Sequence, residues 1–225
     1  MKTLLICFAL IIGFSLPVAV GQTSQKGKIS FGILGGINFQ NLNGKDVSGN
    51  KLENNLIIGY NVGLNIQMPV ANQIYFQPGL IFSTKGAKSI DGALTRTYNI
   101  SYFELPLNMV YRGLLGNGYV LLGFGPYMAY AVGGKVTTEN GDYTDKSDIE
   151  FQNTVELTDP LTTTYLKAFD AGGNIFAGYE MAGGLFFQLN AQLGMLKINP
   201  ENKWISDDKS SVKITGFSLS VGYRF

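Results

Sequence analysis

Six charged side chains stand out as those whose types could do chemistry: Glu104, Asp170 and Glu180 against Lys85, Arg112 and Arg224. Two carboxylates such as Glu104 and Asp170, if brought together, could relay a proton as general acid and base. The same groups could instead only neutralise one another, because charges taken out of water need partners. No nucleophile or substrate cleft can be placed beside the acids. The expectation is therefore a structural ion-pair network of Glu104, Arg112, Asp170, Glu180 and Arg224, with Lys85 in the same phase. The chain has no histidine, and a serine hydroxyl without such a base is a poor nucleophile. Its single cysteine, Cys7, lies in the leader described below, which disfavours covalent and metal catalysis alike. The expected protein is not an enzyme and has no catalytic residue, no cofactor and no metal site.

The elements that would hold these residues are long strands. Residues 213–225, KITGFSLSVGYRF, alternate to the last position, with Thr215, Phe217, Leu219, Val221, Tyr223 and Phe225 on one face and Gly216, Ser218, Ser220, Gly222 and Arg224 on the other. Seven further segments have the same period: about 28–40, 56–68, 73–86, 98–112, 118–133, 168–180 and 184–196. Each is long enough for a tilted membrane crossing, which takes about 9–11 residues, whereas soluble strands usually run to about 5 or 6. One face carries Phe31, Ile33, Ile37 and Phe39, then Ile58, Tyr60, Val62, Leu64 and Ile66, then Leu185, Phe187, Leu189, Ala191, Leu193 and Met195. The opposite face carries Asn61, Asn65 and Gln67, then Gln188, Asn190 and Gln192. That is the apolar-out, polar-in dyad of a strand between lipid and a wet lumen.

Short and long connections alternate strictly. Pro69–Asn72, Gly113–Asn117 and Met181–Gly183 are tight turns, whereas 41–55, 87–97, 134–167 and 197–212 are long and polar. Tight turns on one side and loops on the other return both termini to the turn side. Phe76, Tyr111, Tyr179, Tyr223 and Phe225 fall outward at turn-side ends, and Phe39, Tyr60, Phe82, Tyr130 and Phe169 at loop-side ends, as two interfacial girdles would. An eight-stranded interior is about wide enough to be filled by side chains. Inward Gly59, Gly63, Gly79, Gly123, Gly125, Gly172 and Gly178 would make room for Tyr75, Tyr119, Tyr127 and Phe176. The fold expected is all-β: an eight-stranded antiparallel up-and-down transmembrane β-barrel with three short periplasmic turns and four longer extracellular loops.

Lys2, the apolar run Leu4–Leu16, Pro17 and the small residues Ala19 and Gly21 form the pattern of a signal peptide cut before Gln22. The expected division is a cleaved leader, 1–21, and one barrel domain, 22–225. Without the leader, 16 basic residues face 16 acidic ones. No basic stripe points to nucleic acid. The 134–167 segment carries Glu139, Asp142, Asp145, Asp148, Glu150, Glu156 and Asp159 against three lysines. It reads as an acidic, solvated external flap, since its acids lack the spacing of a calcium loop.

FGILGGINFQNL, QIYFQPGLIFSTKG, SYFELPLNMVYR, GFGPYMAYAVGG, FDAGGNIFAGYE with LFFQLNAQLGML, and the closing GFSLSVGYRF together resemble the PorT-like outer-membrane β-barrel proteins of Bacteroidetes-type bacteria. The resemblance covers the whole chain after the leader. It implies an integral, multi-pass protein of the cell outer membrane, with outer-membrane lipid around it. It also implies a terminal signal at Tyr223 and Phe225 that the barrel-assembly machinery reads during biogenesis, and no catalytic residues. The role expected is non-enzymatic: surface interaction, envelope stabilisation, or service as an accessory of a secretion or transport assembly, with envelope or secretion proteins met through the extracellular loops. The alternatives are a narrow pore for small solutes and a soluble, lipocalin-like binder of an apolar ligand.

Overall fold

A computed structural model describes residues 28–225; the leader and its cleavage point lie outside them. Eight strands form the wall: β1 (Ser30–Lys45), β2 (Ile57–Ala71), β3 (Ile74–Asp91), β4 (Leu94–Leu115), β5 (Gly118–Asn140), β6 (Phe169–Met181), β7 (Leu185–Gly194) and β8 (Ser211–Arg224). Each pairs antiparallel with its sequence neighbour, and β8 pairs with β1 from Gly32↔Arg224 to Lys45↔Ser211, which closes the ring. Closure satisfies the backbone groups within the wall and removes its edges, the condition for strands to sit in hydrocarbon.

The alternation fixes which face is which. Ile33, Ile58, Val62, Leu64, Phe124, Ile175 and Leu189 stand exposed on the outside, while Asn38, Asn61, Asn65, Gln67, Gln77, Asn108 and Asn174 are buried inside. So continuous an apolar outer band belongs against lipid, not water. On the loop side the band ends in an aromatic row: Phe39 stacks on Phe217 at 4.8 Å, and Phe82 lies 6.1 Å from Tyr60 and 5.5 Å from Phe103. Tyr223 and Phe225 pack edge to face at 5.0 Å at the turn side.

Two of the three turns are tighter than their sequence signals, because pairing runs to the last residue that can join it. The first reduces to Asn72–Gln73, with Gln73 in the left-handed region at φ 61°, and the second to Gly116–Asn117, with Gly116 at φ 57°. On the other side, two of the four long connections are themselves largely strand. β4 has 22 residues and β5 has 23, about twice what a crossing needs. Their outer halves, with the end of β3 and a flap strand Tyr143–Phe151, form a sheet that stands above the bilayer. One face of this part meets water and the other, with scattered apolar residues such as Ile100 and Val136, turns in over the mouth. Its residues are therefore mostly polar and read as loop, yet its backbone pairing continues past a bulge at Ser101–Tyr102.

Small residues set how closely the wall and its contents approach. A Cβ on Gly123 would lie 2.2 Å from the Phe176 ring, and one on Gly222 would lie 2.2 Å from the Phe186 ring and 2.3 Å from the Ile33 carbonyl oxygen. The ring at Phe186 can turn, but a paired strand cannot retreat. Gly222→Val should therefore destabilise the barrel by about 1–3 kcal/mol or more. The check is the temperature at which the SDS-resistant folded band of unheated samples disappears, which is expected to fall.

Candidate functional site

The lumen is filled in layers, and the six charges divide between two of them. Toward the loop side, Lys85 of β3 is 1% exposed and Asp170 of β6 is fully buried. The Lys85 ammonium lies 3.0 Å from Glu104 Oε2 and donates to Gln192 Oε1 at 2.7 Å. It also sits over the rings of Tyr127 and Tyr102, at 4.9 and 5.5 Å, where the ring quadrupole attracts a cation. Glu104 further accepts from Gln192 Nε2 at 2.7 Å and from the Ser83 hydroxyl. Asp170 forms no ion pair among the described residues; Tyr127 donates to its Oδ2 at 2.9 Å.

Toward the turn side, one carboxylate serves two guanidinium groups. Glu180 accepts from Arg112 Nη2 at 2.7 Å and from Arg224 Nε at 2.8 Å. Arg224 reaches on to Asn65 Oδ1 at 3.0 Å and Gln77 Oε1 at 3.4 Å, and Arg112 lies flat on the Tyr119 ring at 3.4 Å. Asn65 and Gln77 come from β2 and β3, so Arg224 ties the last strand to elements across the lumen.

Between these layers, amides and apolar rings take up the space. Val110, Leu121 and Phe176 form a small cluster. The polar middle holds two cavities of about 50 and 40 Å³, room for a few waters at most. Above the Lys85 layer, the mouth is stopped by apolar side chains. Ile149 of the flap strand, Leu166 and Ile198 pack with Leu42, Ala87, Ile100, Tyr102, Val136 and Ile214 in one buried cluster. The acidic segment is thus no free solvated flap. Its acids face water, but Ile149 is inserted between Asp148 and Glu150 and faces inward, where burying apolar surface holds the flap down. The hydrogen bond Lys167 N to Ile198 O, at 2.6 Å, ties the third connection to the fourth, and Ile198 N to Val212 O, at 2.8 Å, ties the fourth to the start of β8.

Chemically, this arrangement binds charge and does not expose it. Glu104 and Asp170 are brought to one layer beneath a closed mouth, where Glu104 is held by Lys85, Gln192 and Ser83 and borders only the two small cavities, and Asp170 is held through Oδ2 by Tyr127.

A family model described as outer membrane protein beta-barrel domain matches residues 20–199. The chain belongs to that family. No curated protein matches the sequence significantly. Among solved structures, the attachment invasion locus protein Ail of Yersinia pestis is similar at 13% identity, with 88% of this chain and 100% of that one covered and a TM-score of 0.38. The N-terminal β-barrel domain of Pseudomonas aeruginosa OprF is similar at 15% identity, with 87% and 97% covered and a TM-score of 0.32.

This outer membrane barrel therefore turns its three tight turns to the periplasm and its four long connections outward, and a soluble lipocalin-like protein is set aside. Tyr223 and Phe225, the residues of the expected assembly signal, face out at the periplasmic rim, 42% and 70% exposed. Sequence reasoning did not find the pairing partners of the charges. Gln192 and Asn65 were visible as lumenal by phase, but which strand faces which across the lumen depends on stagger. Ile149 and Ile198 carried one available signal, an apolar residue isolated within a polar connection.

The first extracellular connection turns sharply at Asp46–Asn50. The Asp46 carboxylate accepts from the Asn50 and Ser48 backbone amides at 2.8 and 2.9 Å, and Gly49 supplies φ 88°. Those donors, the Asn50 amide first, hold the Asp46 carboxyl below the usual carboxylate range. A group depressed in the folded state stabilises its loop above the unfolded pKa and loses that contribution as pH falls through the folded one. Protection of the Ser48 and Asn50 amides against hydrogen exchange, taken relative to the free-chain rate at each pH, should persist at pH 5 and be lost only below the usual carboxylate range, whereas Asp46→Ala should remove it throughout.

Proposed function

We propose that this protein is a PorT-like, non-enzymatic barrel that works through its extracellular surface: its wall anchors it, its lumen is closed, and its projecting sheet and loops meet partners outside the cell. The observation that carries this reading is the stopped lumen, in which the apolar mouth cluster lies over two ion-paired layers with cavities of only about 50 and 40 Å³ between them. The absence of histidine from the sequence supports a role without catalysis. The outer halves of β4 and β5 support a role in contact, since a sheet standing above the bilayer adds nothing to anchoring.

Surface labelling tests this. Cys7 is the chain's only cysteine, so thiols introduced at Ala93→Cys and Asp142→Cys report on the hairpin tips and one at Asn117→Cys on a tight turn. A membrane-impermeant maleimide added to intact cells should label the first two and spare the third. Labelling at Asn117 with Asp142 protected would reverse the barrel and remove the basis for an external role.

A further inference from the structure

The first, third and fourth extracellular connections, through Val47, Leu161 and Asp208 among others, enclose a cleft of about 210 Å³. It lies outside the lumen and takes no part in the charge layers. Its walls are braced by backbone hydrogen bonds from one connection to another: Glu201 N to Asn153 O at 2.9 Å, Lys203 N to Val155 O at 3.1 Å and Lys209 N to Val47 O at 3.3 Å. A short parallel pairing, Glu201↔Thr154 and Asn202↔Val155, adds to them. The cleft is therefore formed in advance, which spares a ligand the cost of ordering loops.

Its chemistry has two halves. Pro160, Pro200, Val155 and Leu161 give an apolar side, with the Tyr165 ring positioned by its hydroxyl's hydrogen bond to Pro160 O at 3.2 Å. Beside them are short polar groups whose inner bonds fix their orientation, Asn202 being paired with Val155 itself. Asp208 Oδ1 accepts from Ser210 N at 2.8 Å, leaving Oδ2; Asn202 Oδ1 accepts from Trp204 N at 2.9 Å, leaving Nδ2; and the Thr163 hydroxyl lies on the same lining. A sugar ring presents this same pairing, an apolar C–H face and a rim of hydroxyls that both donate and accept. The only ionised group on the lining is the acid Asp208, which repels carboxylated or sulfated glycans. We propose that this cleft binds a neutral saccharide unit of a glycan outside the cell. The assignment rests on the reading that the barrel works through its external surface.

The chain's single tryptophan, Trp204, is two residues from Asn202 and donates its indole N–H to Glu156 O at 3.0 Å, so its emission reports on this cleft. The test uses the whole barrel, purified in a detergent without a sugar headgroup and titrated with cellobiose, maltose, N,N′-diacetylchitobiose and a heparin disaccharide. The expected result is a saturable Trp204 change with at least one neutral disaccharide, with a midpoint on the order of 1 mM, and none with the heparin disaccharide. Thr163→Tyr, which fills the cleft, and Leu161→Tyr at its exposed rim should each weaken the midpoint about tenfold or more while keeping the heat-dependent gel shift of a folded barrel. Asp142→Ala, at the far hairpin tip, should leave it unchanged. Flat titrations with every neutral sugar, an equal response to the heparin disaccharide, or undiminished binding in both filled variants would overturn the assignment. None of those results would touch the sealed-lumen reading, which ion conductance tests separately.

Discussion

Glu180→Gln is expected to cost the barrel about 3–5 kcal/mol, the loss typical when one partner of a buried charge pair is removed and the other stays behind. The reason is the shared geometry: one carboxylate takes both Arg112 and Arg224. Arg112 is partly exposed and lies flat on Tyr119, so water and the ring relieve it in part. Arg224 is 8% exposed and keeps only the neutral oxygens of Asn65 and Gln77 and the face of the Phe186 ring at 5.2 Å. Most of the cost should thus be carried by Arg224, and Glu180→Gln combined with Arg224→Met should recover part of it. Denaturant unfolding in lipid vesicles, followed by the gel shift, measures this. A loss under about 1 kcal/mol, the value of an exposed pair, would mean that the periplasmic end of the lumen is wet.

The second large effect is at Lys85, which supplies the only base of the loop-side layer among the described residues. Lys85→Met leaves Glu104 without its counter-ion and Asp170 without a nearby cation, and should also cost about 3–5 kcal/mol. Methionine fills much of the same space but gives up the ammonium's attraction to the Tyr102 and Tyr127 rings, so the loss reports on charge and not on a void. Adding Glu104→Gln should restore part of the stability. The two substitutions should be non-additive by about 0.5–3 kcal/mol, as residues in direct contact are. Full additivity would mean that the 3.0 Å contact contributes nothing specific.

How much of this could be read in the sequence follows from which physical rule decides each feature. The strand phases are local: alternation alone placed Leu64 outward and Asn65 inward, and Lys85, Glu104, Arg112, Asp170, Glu180 and Arg224 all lie on inward faces. Which of them meet is not local. Lys85 stands opposite Ile100 in the β3–β4 register, four residues from Glu104, and Gln192 reaches both from β7 on another part of the wall. These meetings depend on the tilt and stagger of the closed barrel, which alternation does not encode. The external segments were obscured for a different reason. Within Tyr143–Phe151 neither face is continuously apolar, Ile149 being its one buried side chain, so the segment lost the period-two signal while keeping its backbone ladder to β5. Ile149 and Ile198 then close the mouth, although each stands alone among polar neighbours.

The most direct test of a sealed barrel that works from its outer surface is current recording from the pure full-length protein in planar bilayers. The apolar mouth cluster and the two ion-paired layers predict a flat baseline at moderate voltage with the barrel inserted and folded. Stable, repeatable unitary steps from the same preparation would contradict the account and make the protein a pore.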